Sequence, residues 1–149
     1  MTRNEIVVAL MSAGLYRGWW TLDDDEYSAI SPGFVDLAHD EWLKSLPSEL
    51  LSNEPSAQWV AEAWDCDNIA RDFGGFLSRC MAVDAIKTAK PHGNVAAGKL
   101  NFMRTETEGH AINWFVDHDG KAHCFDAGTG QMEDLTPVQL ESILEGEST

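Results

Sequence analysis

Apolar residues recur every three to four positions in three stretches of the chain, which is the spacing of an amphipathic helix. The first helix is predicted from a capping-box sequence over residues 2–5, and Gly14 favours its end. The second is predicted to begin at Ser31-Pro32, a cap followed by a proline that fits a first turn, and to end before Pro47. The third begins at Asp65, and its buried stripe is Ile69, Ala70, Phe73, Phe76, Leu77, Cys80 and Met81.

The second half of the chain predicts an antiparallel hairpin. Residues 109–116 have the composition of one strand, and residues 121–126 have that of the returning strand. We predict a three-residue loop between them, with its last residue, Gly120, in the left-handed conformation. This loop makes His110 and Asp126 diagonal neighbours on one sheet face, whereas a two-residue turn would place them on opposite faces.

Shorter patterns predict the remaining elements. Residues 100–103 predict a strand that enters the sheet, and the small residues of 87–98 predict a loop. Another capping box over residues 136–139 predicts a short last helix, and the acidic tail after it is expected to fray. Trp19 and Trp20 are expected in the core rather than on the surface.

Length and composition are those of a single folded domain. The chain has 149 residues, of which 44% are hydrophobic, enough to bury one core. We therefore predict an α+β fold that occupies residues 1–149 as one domain. In it, helices precede the helix that carries Cys66, and this helix packs on a small antiparallel sheet.

The charge of the chain limits its partners and its location. With 25 acidic and 10 basic residues, the net charge is −15, which argues against nucleic acid and anionic membrane surfaces as ligands. No apolar run reaches the roughly 18 residues of a transmembrane helix, and the first residues make a poor signal peptide. We therefore expect a cytoplasmic protein. Its three cysteines, which lack metal-ligand spacing, are expected to be reduced.

Cys66 is the candidate for nucleophilic chemistry. It lies in the first turn of the third predicted helix, where the partial positive charge of the helix terminus favours a thiolate over a thiol. The alternative is an unreactive, buried small residue. A nucleophile needs a base and a group that orients the base, and the predicted hairpin supplies His110 and Asp126 for these roles.

Other residues compete for the same roles but fit them less well. His39 lies on an earlier predicted helix, His92 and His118 fall in loops, and His123 points to the opposite sheet face from the predicted acid. Asn113 is an alternative orienting residue, although strand alternation places it on the face opposite His110.

The order of these motifs resembles that of a known superfamily. Asp-Cys-Asp opens a helix, Gly-His-Ala opens a strand, and Phe-Asp-Ala-Gly-Thr-Gly closes the next strand. This order is similar to that of the papain-like cysteine hydrolases, in their compact transglutaminase-like branch. It also resembles, more loosely, the protease-like C-terminal domain of the Marasmius-type fungal agglutinins and similar small phage proteins. The resemblance covers about residues 59–131 and rests on order and spacing, since each motif is short.

The resemblance implies roles for further residues. Trp59 or Gln58 would help the Cys66 backbone N–H to hold an oxyanion, and the agglutinin resemblance favours Trp59; core packing is the alternative for that residue. It also implies a calcium-like ion near the active site, for which Asp65 and Asp67 could supply ligands. Helix capping is the alternative role for Asp65.

These observations lead to an expected function with alternatives. We predict a cysteine-dependent hydrolase, either a peptidase or an amidase, or an acyl transferase, with a peptide or protein as substrate. Cys66 would attack the carbonyl carbon, His110 would transfer the proton, and Asp126 would orient His110. The main alternative is a non-catalytic acidic inhibitor, phage-encoded and acting in the host cytoplasm, that covers a basic protein surface on an inherited hydrolase scaffold. A cell-wall amidase is a further alternative, because the Asp65-Cys66 pair resembles the Asp-Cys sequence with which the motif of those amidases starts.

Overall fold

A computed structural model describes residues 1–50, 64–90 and 92–149 and confirms the predicted α+β class. In chain order the elements are α1 (Arg3–Ser12), β1 (Trp19–Thr21), β2 (Tyr27–Ser28), α2 (Pro32–Ser45), a 3-10 turn (Ser48–Leu50), α3 (Cys66–Thr88), β3 (Asn94–Val95), β4 (Ala97–Met103), β5 (Gly109–Val116), β6 (Ala122–Asp126), β7 (Gln131–Glu133), α4 (Pro137–Glu141) and β8 (Glu145–Ser148). Six strands form the main sheet in the order β1-β8-β4-β5-β6-β7, and β2 and β3 form a separate parallel pair. All neighbours in the main sheet are antiparallel except β1 and β8.

The predicted helix starts are confirmed by their caps. The Thr2 side chain accepts a hydrogen bond from the Glu5 backbone N–H, and the Glu5 carboxylate accepts one from the Thr2 backbone N–H. The Ser31 hydroxyl caps α2 by accepting a hydrogen bond from the Phe34 backbone N–H. The Asp65 carboxylate accepts two backbone N–H groups of the first turn of α3, at 3.1 and 3.2 Å. These local hydrogen bonds satisfy donors that a helix start otherwise leaves unpaired.

The main sheet separates two apolar cores. Strand alternation directs Trp114 towards α1 and its neighbour Phe115 towards α2 and α3, so both faces of β5 are buried. Helix α3 packs on β4 and β5. A Cβ on Gly74 would lie 2.6 Å from Thr149 Oγ1 and 3.5 Å from Asn113 Nδ2, whereas one on Gly75 would meet nothing within 4 Å. Of these two glycines, only Gly74 therefore serves close packing.

The β5–β6 hairpin has the predicted register. Val116 pairs with Ala122 and Asn113 pairs with Phe125. These are the pairs that the predicted three-residue loop requires. Gly120 has a φ of 76°, and its N–H donates to the Asp117 carbonyl over 3.0 Å. The three-residue loop is confirmed, and with this register the start of β5 lies beside the end of β6.

Several strands differ from the sequence predictions. The predicted loop over 87–98 contains β3 and the first residues of β4, and the tail that was expected to fray forms β8 between β1 and β4. Strand β8 is held by backbone pairing, and a Cβ on Gly146 would lie 2.5 Å from the Trp20 indole, so its lack of a side chain makes room for that ring. Trp20 packs against the core as expected, but Trp19 is 77% exposed.

Within the described residues, none of the helices combines the length and the apolar sequence that crossing a bilayer requires. This agrees with the absence of a long apolar run in the sequence.

Candidate functional site

Cys66, His110 and Asp126 meet at the end of the sheet where β5 begins and β6 ends. The His110 Nε2 atom lies 2.9 Å from Asp126 Oδ2, and Cys66 lies beside His110 at the same cavity, where the imidazole lowers the pKa of the thiol. The thiol also lies close to the backbone of Ala111. The structure therefore brings together the three side chains selected from the sequence.

The charges of the site favour an ionised thiol. The hydrogen bond with His110 lowers the pKa of Cys66 below its usual 9.0, and this outweighs the opposing effect of burial. Burial alone would lower the pKa of His110, but hydrogen bonds with Asp126 and Cys66 outweigh it and raise that pKa to about 9. Both shifts act in the same direction, since they favour a proton on His110 and a negative charge on the sulfur.

Asp126 is a buried acceptor that is fully engaged. Its Oδ1 accepts the Gly128 backbone N–H over 2.8 Å, and its Oδ2 accepts from Arg104 Nη2 over 3.3 Å as well as from His110. Burial alone would raise the pKa of Asp126, but the hydrogen bond and charge of His110 outweigh it and lower that pKa. The turn after β6 thus holds Asp126 at two points. The Gly128 N–H binds its carboxylate, and the Gly130 N–H donates to its backbone carbonyl over 2.7 Å.

The three residues open onto a cavity of about 170 Å³. Its apolar wall includes Ile69 and Ala127, and its polar wall includes Arg104 and the turn residue Thr129. This volume accommodates a small group of a ligand rather than a whole ligand of drug-like size.

The competing residues have other partners. His39 is buried and lies 2.7 Å from the Ala127 carbonyl, and His123 lies 2.6 Å from Asp117 at the other end of the hairpin. His92 lies 3.9 Å from Asp84, and His118 is exposed in the hairpin loop. None of these four contacts a thiol among the described residues.

Asn113 faces α3, as strand alternation predicted. Its amide donates to the Ala70 carbonyl over 2.8 Å and to the Gly98 carbonyl over 3.1 Å. This is a structural role that joins the helix to the sheet.

Gln58 and Trp59, predicted to hold an oxyanion, lie outside the described residues. Their assignment therefore stays a prediction.

One residue of the site was missed in the sequence analysis. Arg104 follows β4 directly, and the pairing of Phe102 with His110 places it near the start of β5. The signal was its position two residues after Phe102, on the same sheet face as His110.

The carboxylates suggested for calcium do not fit a cation site. Asp65 caps α3, and Asp67 forms ion pairs with Lys99 and with Arg71, the latter at 3.1 Å. Over residues 1–50, 64–90 and 92–149, no group of three or more His, Cys, Asp or Glu side chains could hold a metal ion. Hard cations need several free oxygen ligands, and these two carboxylates already have other partners.

Comparison with known proteins changes the expected class. No family model and no curated protein matches the sequence. Two solved structures are similar to it: the complex of PSL1a, a Polyporus squamosus lectin, with E64, and the same lectin bound to the human-type influenza-binding epitope Neu5Acα2-6Galβ1-4GlcNAc. Each has a TM-score of 0.71 and 17% identity over 99% of this chain.

This chain spans about half the length of those lectin chains, 50% and 49%. At 17% identity the likeness shows the fold alone. The similar structures are described as those of a lectin, not of a papain-like or transglutaminase-like hydrolase, and the predicted membership of that superfamily is wrong on this comparison. The same finding contradicts the predicted hydrolase or acyl-transferase function. It also contradicts the expected peptide or protein partner.

Proposed function

We propose that Cys66, His110 and Asp126 form a reactive thiol site that binds an electrophilic small molecule covalently. The observation that carries the proposal is the position of His110, with one ring nitrogen 2.9 Å from the Asp126 carboxylate and the other available to the thiol. A cysteine at a helix start beside an imidazolium is the environment in which a thiolate is stabilised and accessible to reagents.

The chemistry follows from the location of the proton. With an epoxide, the Cys66 sulfur attacks a ring carbon, a C–S bond forms, and the C–O bond breaks. The resulting alkoxide takes the proton from His110, and Asp126 keeps the ring oriented while it carries positive charge. One of the similar lectin structures is a complex with E64. Because E64 carries an epoxide, it is a suitable probe for this chain.

The test is to treat the protein with E64 and with iodoacetamide and to map the adducts by mass spectrometry. We expect one rapid adduct, on Cys66, because burial raises the pKa of Cys80 and raises that of Cys124 to about 12. Cys66→Ala should abolish it, while the matched variant Cys80→Ala should react like the wild type. Equal labelling of the three cysteines, or labelling that persists in Cys66→Ala, would refute the proposal.

A second candidate function is carbohydrate binding, which the described lectin complex and one surface feature favour. Trp19 is 77% exposed and pairs with Glu145 across the β1–β8 ladder. Asn101 donates its amide to Glu145 Oε1 over 2.8 Å, so the carboxylate is held in place. An exposed indole offers an apolar face for a sugar ring, and the adjacent carboxylate can accept hydrogen bonds from sugar hydroxyls.

Calorimetric titration with Neu5Acα2-6Galβ1-4GlcNAc tests this second candidate. Binding should be measurable in the wild type and lost in Trp19→Ala, because the stacking surface is removed. Ile86→Ala is the matched control, since Ile86 is a second large residue with 80% exposure. No heat of binding in the wild type, or equal binding by Trp19→Ala, would exclude a sugar site at this position.

A further inference from the structure

The geometry points to Arg104 as a binding residue for a carboxylate group on ligands that enter the Cys66 cavity. This inference rests on the proposed thiol site and specifies the class of electrophile that the site takes. It concerns a residue that none of the sequence motifs includes.

Arg104 combines a fixed position with access to the cavity. It lines the same 170 Å³ cavity as Cys66 and His110, and its side chain is 38% exposed. Its Nη2 atom lies 3.3 Å from Asp126 Oδ2 and 3.4 Å from Glu133 Oε1. These two carboxylates hold one corner of the guanidinium, so its orientation is set before a ligand arrives.

The remaining donors of Arg104 are what a ligand could use. Both hydrogen bonds of the guanidinium come from Nη2, and within the described residues Nη1 and Nε have no acceptor. A guanidinium has five N–H donors, so Nη1 keeps donors with which a ligand carboxylate can form a charge-assisted hydrogen bond. A carboxylate bound there would lie at the same small cavity as the Cys66 sulfur.

The overall charge of the chain makes such a preference informative. With a net charge of −15, the protein as a whole repels anionic ligands. A preference of Cys66 for an anionic reagent would therefore have a local origin. His110, when protonated, is the other cation at the site, and substitution of Arg104 separates the two contributions.

The purely structural alternative gives a different expectation. If Arg104 only neutralised Asp126 and Glu133, its loss would alter the reactivity of Cys66 towards neutral and anionic reagents alike. The ratio of the two rates isolates recognition of the ligand charge.

The test compares iodoacetate with iodoacetamide, two reagents that differ by a carboxylate against an amide. In both, the sulfur forms a C–S bond and iodide leaves. Second-order rate constants for the labelling of Cys66 are measured at neutral pH by mass spectrometry. The rate constant for iodoacetate is divided by that for iodoacetamide, and this ratio is then divided by the same ratio for N-acetylcysteine, a free thiol. We expect Arg104→Gln to lower this ratio about tenfold, as loss of a charge-assisted hydrogen bond implies. Arg104→Lys should retain part of it, because an ammonium keeps the charge but places its donors differently.

Glu133→Gln is the complementary variant, since it removes one competing carboxylate and should raise the ratio. It also keeps the test decisive if Arg104→Gln does not fold. An unchanged ratio in both Arg104 variants, with rapid iodoacetamide labelling of Cys66, would overturn the role of Arg104 alone. The same holds for a ratio that does not rise in Glu133→Gln. Slow iodoacetamide labelling of wild-type Cys66 would instead refute the thiol site on which the inference rests.

Discussion

Replacing Asp126 by Asn tests how the proposed thiol site holds its charge. The substitution keeps the shape of the side chain but removes the carboxylate that accepts from His110 over 2.9 Å. Without that charge, burial becomes the dominant influence on His110, and burial lowers its pKa. The imidazole is then neutral at pH 7, so the Cys66 thiol loses the cation that lowers its own pKa.

The size of the effect follows from two opposing contributions. A thiol that returns to the ordinary pKa of 9.0 is only about 0.3% ionised at about pH 6.5. A thiolate of higher basicity is intrinsically more nucleophilic, with a Brønsted coefficient of about 0.4–0.5, and this offsets part of the loss. We therefore expect Asp126→Asn to slow alkylation of Cys66 about tenfold near pH 6.5 and not to slow it near pH 9.

The assay is the rate of iodoacetamide labelling of Cys66 across this pH range, with circular dichroism to confirm that the variant is folded. The midpoint of the profile should move to higher pH in Asp126→Asn. Asp117→Asn is the matched control, because Asp117 makes the same kind of contact with His123, 2.6 Å long, away from any thiol. Identical profiles for the wild type and Asp126→Asn would refute the argument that Asp126 sets the charge of His110.

Three further predictions concern stability. Asn113→Ala should cost about 2–4 kcal/mol in urea unfolding, because the buried carbonyls of the Ala70 and Gly98 backbones lose their donor, and the labelling rate of Cys66 should not change. Gly98→Ala should destabilise the fold by more than about 3 kcal/mol, since its Cβ would lie 1.8 Å from the Glu147 carbonyl oxygen; Gly75→Ala, with open space, should stabilise it by about 1 kcal/mol. Between about pH 6.5 and 9, Cys66→Ala should make stability fall more steeply with rising pH than in the wild type, in urea unfolding. The pKa of His110, which Asp126 still raises in the variant, gives a falling slope, and the lowered pKa of folded Cys66, which the variant lacks, gives the opposite slope.

The parts of the fold that were predictable depend on local chemistry. The helix starts at Thr2, Ser31 and Asp65 are specified by side chains that hydrogen-bond within the same turn. The β5–β6 register is specified by the loop that ends at Gly120, whose φ of 76° a residue with a side chain rarely adopts. Because the register was correct, the contact between His110 and Asp126 was predictable as well.

The predictions that failed concern residues whose structure depends on contacts with distant parts of the chain. Strand β8 has the sequence Glu-Gly-Glu-Ser, which carries no strand-forming apolar pattern, and it exists because β4 and β1 both offer it backbone partners. Trp19 was expected in the core, yet the short edge strand β1 leaves its side chain exposed. Arg104 lies outside the short motifs, so only the pairing of β4 with β5 brings it to the site.

The arrangement of the site explains why the meeting of Cys66, His110 and Asp126 was predictable from the sequence while the class of the protein was not. Each member is fixed by a separate local device: a helix cap for Cys66, a hairpin loop for His110 and a tight turn for Asp126. Such devices determine where a thiol, an imidazole and a carboxylate meet, and therefore which atom carries the proton. They do not determine what the cavity admits, which depends on its walls and on residues such as Arg104 that neighbouring strands supply. If Arg104 has the proposed role, a search for ligands should begin from the shape and charge of that cavity, with anionic electrophiles before neutral ones.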